Sequence, residues 1–292
     1  MDPQFSHGLF RLAALNFMLL GICSCAPLSE IFTVEDWARK NVVEDDATGS
    51  VRISLTPDGG GKIESRSAYL GGSFSVRAKL ISGESAGTVS AFYLISQGEN
   101  HDEIDMEFLG NISGQPYLLH TNIFANGVGN REQQVYLPFD PTADFHTYSV
   151  ICNHQQITWL VDGAPIRIYR NIENIYPSSY PFTKGMHVAA SIYEASTWAT
   201  RGGLVPINWN YAPFEGSFDS FNFEACEVPQ GGDTSSCEGN YGNWWDGAQY
   251  QSLSPDQVNQ LRSFQQRYMI YNYCTDQTRY ATPPVECAYN AA

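Results

Sequence analysis

The chain has 292 residues, enough for one large or two modest domains, and 43% of them are hydrophobic, as expected of a protein that buries a real core. Its 31 acidic residues outnumber 16 basic ones, for a formal net charge of −15. That surplus argues against a nucleic-acid partner or an anionic membrane surface, and it is compatible with a neutral polymer or sugar as ligand.

Residues 12–25 are mostly apolar and follow Arg11. The run is too short to span a bilayer, and the small residues Cys23, Ser24, Cys25 and Ala26 suit a signal-peptidase site. Residues 1–26 therefore read as a secretory signal. From residue 31 to 220 helical periodicity is scarce. Short β-rich runs recur at 50–55, 73–80, 88–95, 117–124, 132–137, 147–152, 156–161, 166–169, 186–193 and 218–224, separated by turn signals. This spacing predicts an all-β antiparallel sandwich. Asp162-Gly163, between two alternating runs, predicts a hairpin turn.

One stretch differs from the rest. In residues 101–110 the acids Glu103, Asp105 and Glu107 occupy every second position, with Ile104 and Met106 between them. Period-2 alternation makes this a strand with one acidic and one apolar face. Charges on an edge strand can merely block aggregation, but such protection usually includes lysine and does not need three acids in strict alternation. Paired carboxyls are the minimum for cleaving a glycosidic bond, one donating a proton and the other attacking the sugar or activating water. On a flat strand Glu103 and Glu107 would stand roughly 13 Å apart at ~3.3 Å per residue, so convergence requires a concave sheet. A carboxylate-built metal site would need a glycine-containing acidic loop or clustered His and Cys, and neither is present; a serine-hydrolase elbow is absent too. No cofactor is expected.

Asn111-Ile112-Ser113 is a glycosylation sequon just past the acidic strand. Beyond residue 226 the composition shifts. Ser254, Pro255 and Gln257 predict a helix start with a capping box, and Val258, Leu261, Phe264 and Tyr268 its apolar stripe. Cys226, Cys237, Cys274 and Cys287 allow three connectivities; local pairs, Cys226–Cys237 and Cys274–Cys287, are expected in an oxidising compartment. Cys152 is expected to be a buried free thiol. The division is then a signal over 1–26, a catalytic sandwich over 27–225, and an extension over 226–292 that docks on it.

His-Asp-Glu-Ile-Asp-Met-Glu-Phe-Leu-Gly-Asn, from His101, resembles the catalytic strand of the plant xyloglucan endotransglucosylase/hydrolases of glycoside hydrolase family 16. Residues 85–94, 130–133, 139–146, 198–203, 211–214 and 268–276 carry the same resemblance. It implies a concanavalin-like β-jelly-roll sandwich with a short disulfide-stapled C-terminal extension containing a helix. It implies Glu103 as nucleophile, Glu107 as acid/base and Asp105 as the assisting carboxylate. Substrate-binding roles fall on His120, Asn122, Arg131, Glu132, Trp198, Gly202 and Gly203, with Trp198 stacking on the acceptor-side glucan. The implied partner is xyloglucan polymer or oligosaccharide. A secreted, monomeric cell-wall (apoplast) enzyme is expected, acting as a transferase with hydrolysis as the alternative. A non-catalytic, lectin-like sandwich is the rival reading. Met106 stands where the family usually has phenylalanine, Gly71 where it often has an aromatic, and residues 32–51 and 194–197 depart from its pattern.

Overall fold

The computed structural model describes residues 27–229 and 232–290. The leader expected over residues 1–26 lies outside them. Fourteen antiparallel strands dominate: β1 (Phe32–Thr33), β2 (Val42–Asp45), β3 (Ser50–Leu55), β4 (Gly61–Lys79), β5 (Thr88–Ile95), β6 (Glu103–Leu109), β7 (Leu118–Phe124), β8 (Gln133–Tyr136), β9 (His146–Cys152), β10 (Gln156–Val161), β11 (Ala164–Arg170), β12 (Met186–Glu194), β13 (Phe214–Val228) and β14 (Met269–Asn272).

They form a β-jelly-roll sandwich. One layer runs β4-β12-β5-β6-β7-β8-β14 and the other runs β11-β10-β9-β4, extended by β13, β3 and β2. Strand β4 belongs to both. Its first part pairs with β12 through Lys62 and Glu64, and its second with β9 from Gly72 onward. The run at 73–80 is thus the far half of a longer strand. Gly71 and Gly72 sit at the crossing with φ of +73° and +147°, a backbone that L side chains rarely adopt. A Cβ on Gly71 would come within 2.8 Å of the Phe182 ring. Phe182 therefore occupies the space that an aromatic at position 71 would need.

Alternation explains the layers. Ile104 and Met106 of β6 are fully buried and join Phe92, Val150 and Trp159 in one core between the sheets. Met106 points away from the acids, as the alternation requires. Phe108 meets Tyr148 across the layers at 4.5 Å. Asp162 and Gly163 take positive φ and turn β10 into β11, as expected of an Asp-Gly hairpin.

The C-terminal helix, Pro255–Tyr268, has the expected capping box. Ser254 Oγ accepts from Gln257 N, and Ser254 N donates to Gln257 Oε1 at 3.0 Å. Leu261 is its one fully buried side chain. Disulfides join Cys226 to Cys237 and Cys274 to Cys287, and Cys152 is a buried free thiol. The segment after the helix adds β14 to the edge at β8, which lengthens the sheet that carries the acids. No helix among the described residues is long and apolar enough to cross a membrane.

Candidate active site

Strand β6 lies near the middle of the first layer, between β5 and β7. Register sets the neighbours of each acid. Glu103 faces Ile95 and Phe124, Asp105 faces Tyr93 and Asn122, and Glu107 faces Ala91 and His120. All three acids line a cleft of about 360 Å³, together with Trp37, Lys62, Tyr93, Ser191 and Tyr193. The cleft crosses the strands. Its floor continues past β6 to His120, Asn122 and, on β8, Gln134.

The three carboxyls have different environments. His101 Nε2 lies 2.9 Å from Glu103 Oε2 and holds it from the preceding loop. Asp105 is buried, and burial pushes its pKa well above the usual carboxylate range; the charges of Glu103 and Glu107 add to this. A carboxyl that keeps its proton can donate a hydrogen bond to Glu103. Behind it, Trp159 Nε1 donates to the Asp105 carbonyl at 3.1 Å, which ties β6 to the opposite layer. Arg167, only 2% exposed, lies over the Trp159 ring and donates to the Thr121 carbonyl and hydroxyl at 2.8 Å each. Its charge opposes the upward push on Asp105, and its own burial draws its pKa down to about 10.

Glu107 is raised to about 7, mainly by burial and further by the charge of Glu103; a hydrogen bond from Tyr193 acts the other way. The Tyr193 hydroxyl donates to Glu107 Oε1, and burial keeps that phenol protonated. His120 Nε2 stands 3.8 Å from Glu107 Oε2. Burial lowers the His120 pKa to about 4, so its imidazole is neutral at neutral pH, and its Nδ1 bonds the Gln134 amide at 3.0 Å. Asp105 and Glu107 are thus both pushed toward their protonated forms, Glu107 to about 7. A carboxyl raised to about 7 can give up a proton near neutrality, as a general acid must.

The other residues singled out in the sequence divide. Asn122 sits on the floor beside Asp105, and its Oδ1 accepts from Arg131 N at 3.0 Å. Trp198 is 37% exposed, and its ring lies 5.6 Å from that of His120. It shares a second cavity with Asn111, Gln134, Arg201 and Gly202. Gly203 is not among that cavity's lining residues; its φ is +87°, and a Cβ there would meet the Thr197 carbonyl at 2.4 Å, so it shapes the loop that carries Trp198. Asn111 therefore lies on the rim near Trp198. Glu132 pairs with Arg279 at 2.6 Å and acts on the charge of His120 from nearby.

Arg131 is not brought to the cleft. Its guanidinium is buried and pairs with Glu286 Oε1 at 3.0 Å, in the C-terminal extension. Glu286 is 3% exposed. Substituting Arg131 by Ala strands a buried carboxylate and is expected to cost about 3–5 kcal/mol. Urea unfolding of the variant measures this, with Glu286→Gln in the same background expected to recover part of the loss.

Tyr193 was not legible in the sequence. Alternation puts it on one face with Ser191, but only pairing of β12 with β5 brings that face beside Glu107. Lys62 joins the cleft through the same kind of pairing, of β4 with β12, and Trp37 reaches it from the turn between β1 and β2.

The chain is similar to known proteins over nearly its whole length. Residues 31–211 match Glycosyl hydrolases family 16, and residues 239–287 match the Xyloglucan endo-transglycosylase (XET) C-terminus. Xyloglucan endotransglucosylase/hydrolase protein 9 of Arabidopsis thaliana is 42% identical over 288 residues, covering 97% of each chain. Xyloglucan endotransglucosylase protein 34 of Populus tremula x Populus tremuloides is 44% identical, covering 87% of this chain and 85% of its own. Among solved structures, a prokaryotic β-1,3-1,4-glucanase (lichenase) from a mouse hindgut metagenome superposes with a TM-score of 0.55 at 23% identity, over 68% of this chain and 94% of its own. That likeness bears on the fold.

Proposed function

This chain belongs to glycosyl hydrolases family 16, among the xyloglucan endotransglucosylase/hydrolases, and we propose that Glu103, Asp105 and Glu107 are the residues with which it cuts and rejoins a β-1,4-glucan backbone. The observation that carries this is the trio itself: one cleft, one sheet face, and a Glu107 raised to about 7 on the same face as Glu103.

The reaction has two steps. Glu103 attacks the anomeric carbon while Glu107 gives its proton to the departing glycosidic oxygen. The chain on the non-leaving side stays bound to Glu103 as an ester. Glu107, now a carboxylate, takes a proton from an incoming hydroxyl, which displaces Glu103 and restores the β-linkage. His101 and Asp105 orient Glu103, and Tyr193 orients Glu107. Transfer results when the incoming hydroxyl belongs to a sugar, and hydrolysis when it belongs to water.

The half of the cleft beyond β6, with His120, Asn122 and Trp198, receives the acceptor in this reading. An exposed indole beside polar groups suits a sugar ring, which has apolar faces and polar edges. Trp198→Ala is expected to raise the KM for the acceptor oligosaccharide about tenfold, the size of ~1.4 kcal/mol of lost stacking, and to leave the donor KM unchanged. Xyloglucan is the substrate this reading assigns, in the cell wall, to a secreted monomer.

The test is incubation with xyloglucan, with and without a labelled xyloglucan oligosaccharide, following polymer size and label together. Label entering polymer establishes the transferase. Shrinking polymer without incorporation makes the protein a hydrolase. If neither changes, the assignment to xyloglucan is wrong.

A further inference from the structure

We propose that Lys184 is a positioning residue for the nucleophile: with Asp102 and Asn126 it clamps the loop that carries His101, and so keeps His101 against Glu103. This deepens the function given above and rests on its assignment of Glu103 as the nucleophile.

His101 Nε2 lies 2.9 Å from Glu103 Oε2. The residues just before His101, 97–100, are exposed and bury no side chain in the core. A histidine at the end of such a loop keeps a fixed place only if other elements hold it. Two contacts come from β7 and the turn after it. The imidazole lies against the Phe124 ring at 5.1 Å, and Gly127 N donates to the His101 carbonyl at 2.7 Å.

Lys184 ties these pieces together. It stands just before β12, two residues after Phe182, which is buried in the core. Its ammonium donates to the Asn100 carbonyl and to Asn126 Oδ1, the latter at 3.1 Å, and lies 3.7 Å from Asp102 Oδ1. Asn100 and Asp102 flank His101, and Asn126 precedes the glycine that binds the His101 carbonyl. One cation thus grips the chain on both sides of His101 and the turn that faces it.

Asp102 makes the grip firm. It is 1% exposed, and its Oδ1 also accepts from Asn126 N at 2.7 Å. Asp102 N donates to Ser96 Oγ at 2.7 Å, and Ser96 N donates to the Asp102 carbonyl at 2.9 Å, which pins the end of the loop to its start just past β5. An ion pair between two exposed side chains contributes little, but an ammonium facing a buried carboxylate leaves that charge stranded when it is removed. Position is what the clamp supplies to the reaction. A displacement of about 1 Å that starts far from the chemistry can cost about 100-fold in rate.

The experiment uses polymeric xyloglucan as donor and a labelled xyloglucan oligosaccharide as acceptor, well below the melting temperature of every variant. Lys184→Met is expected to lower kcat/KM for the donor about tenfold, and Lys184→Arg to recover most of the loss. Binding of a β-1,4-gluco-oligosaccharide to Glu103→Ala should stay within about twofold when Lys184→Met is added. Should Lys184→Met unfold, Lys184→Met with Asp102→Asn removes the stranded charge and takes its place. A double-mutant cycle separates positioning from mere stabilisation. If Lys184 acts through His101, adding Lys184→Met to His101→Ala should cost less than about twofold more, while the losses in melting temperature still add. A loss under about threefold in Lys184→Met, or a tenfold loss repeated in the His101→Ala background, overturns the clamp. Should the wild type act on no xyloglucan, the reading beneath this proposal fails, and NMR of the histidine ring nitrogens decides the clamp. Glu103→Gln should shift the His101 signals, because the two side chains touch, and this response should fall by about half or more in Lys184→Met. An unchanged response overturns it.

Discussion

Glu103→Ala is expected to lose transfer and hydrolysis together, by about 10⁴-fold or more, because no other group on β6 can form the ester. Loss of activity alone would not separate nucleophile from acid/base. Stereochemistry does. Given azide and a donor with a good leaving group, Glu103→Ala should yield the α-glycosyl azide, since azide takes the place of the missing carboxylate on its own face. Glu107→Ala should yield the β-glycosyl azide, since azide there displaces an intact ester. Finding the two products exchanged would reverse the roles of Glu103 and Glu107. A folded Glu103→Ala variant with wild-type transfer would remove Glu103 from the chemistry.

The second large effect is on pH dependence. With Glu107 raised to about 7, chiefly by burial, kcat/KM should fall as pH rises through that value, because the first step needs the proton. Tyr193→Phe removes the hydrogen bond that opposes this shift. The alkaline limb should then move up by about one pH unit, the scale of a lost bond to a charged group. A limb that stays put in Tyr193→Phe would mean that the tyrosine only packs. Stability follows by linkage. The folded pKa of Glu107 lies above the ordinary 4.5, so the folded state binds the proton more tightly. This contribution is fully present below pH 4.5 and is lost as pH rises through about 7, an effect of about 3 kcal/mol. Glu107→Gln lacks it. Its melting temperature relative to wild type should therefore climb between pH 4.5 and 8, and a flat difference would contradict the assigned environment of Glu107. Burial of His120 acts in the opposite sense. Its pKa is lowered to about 4, so the stability it contributes is present above 6.5 and is lost as pH falls toward 4.

The amino-acid sequence by itself determined what depends on neighbours in the chain. Alternation around Ile104 and Met106 put three acids on one face, and those two side chains are indeed in the core. The capping box at Ser254, the Asp162-Gly163 turn and the two local disulfides are likewise short-range features, set by residues at most 13 positions apart. Tertiary structure decided what depends on strand order and docked loops. Tyr193 reaches Glu107 across 86 residues, and Arg131 turns toward Glu286 across 155. Trp37 joins the cleft because Asn41 binds the backbone at Gly59 and Gly60. The reason is physical. Period-2 alternation says which side of its own strand a residue occupies. It carries nothing about which strand lies alongside, and that is settled by the joint packing of the core between the two sheets.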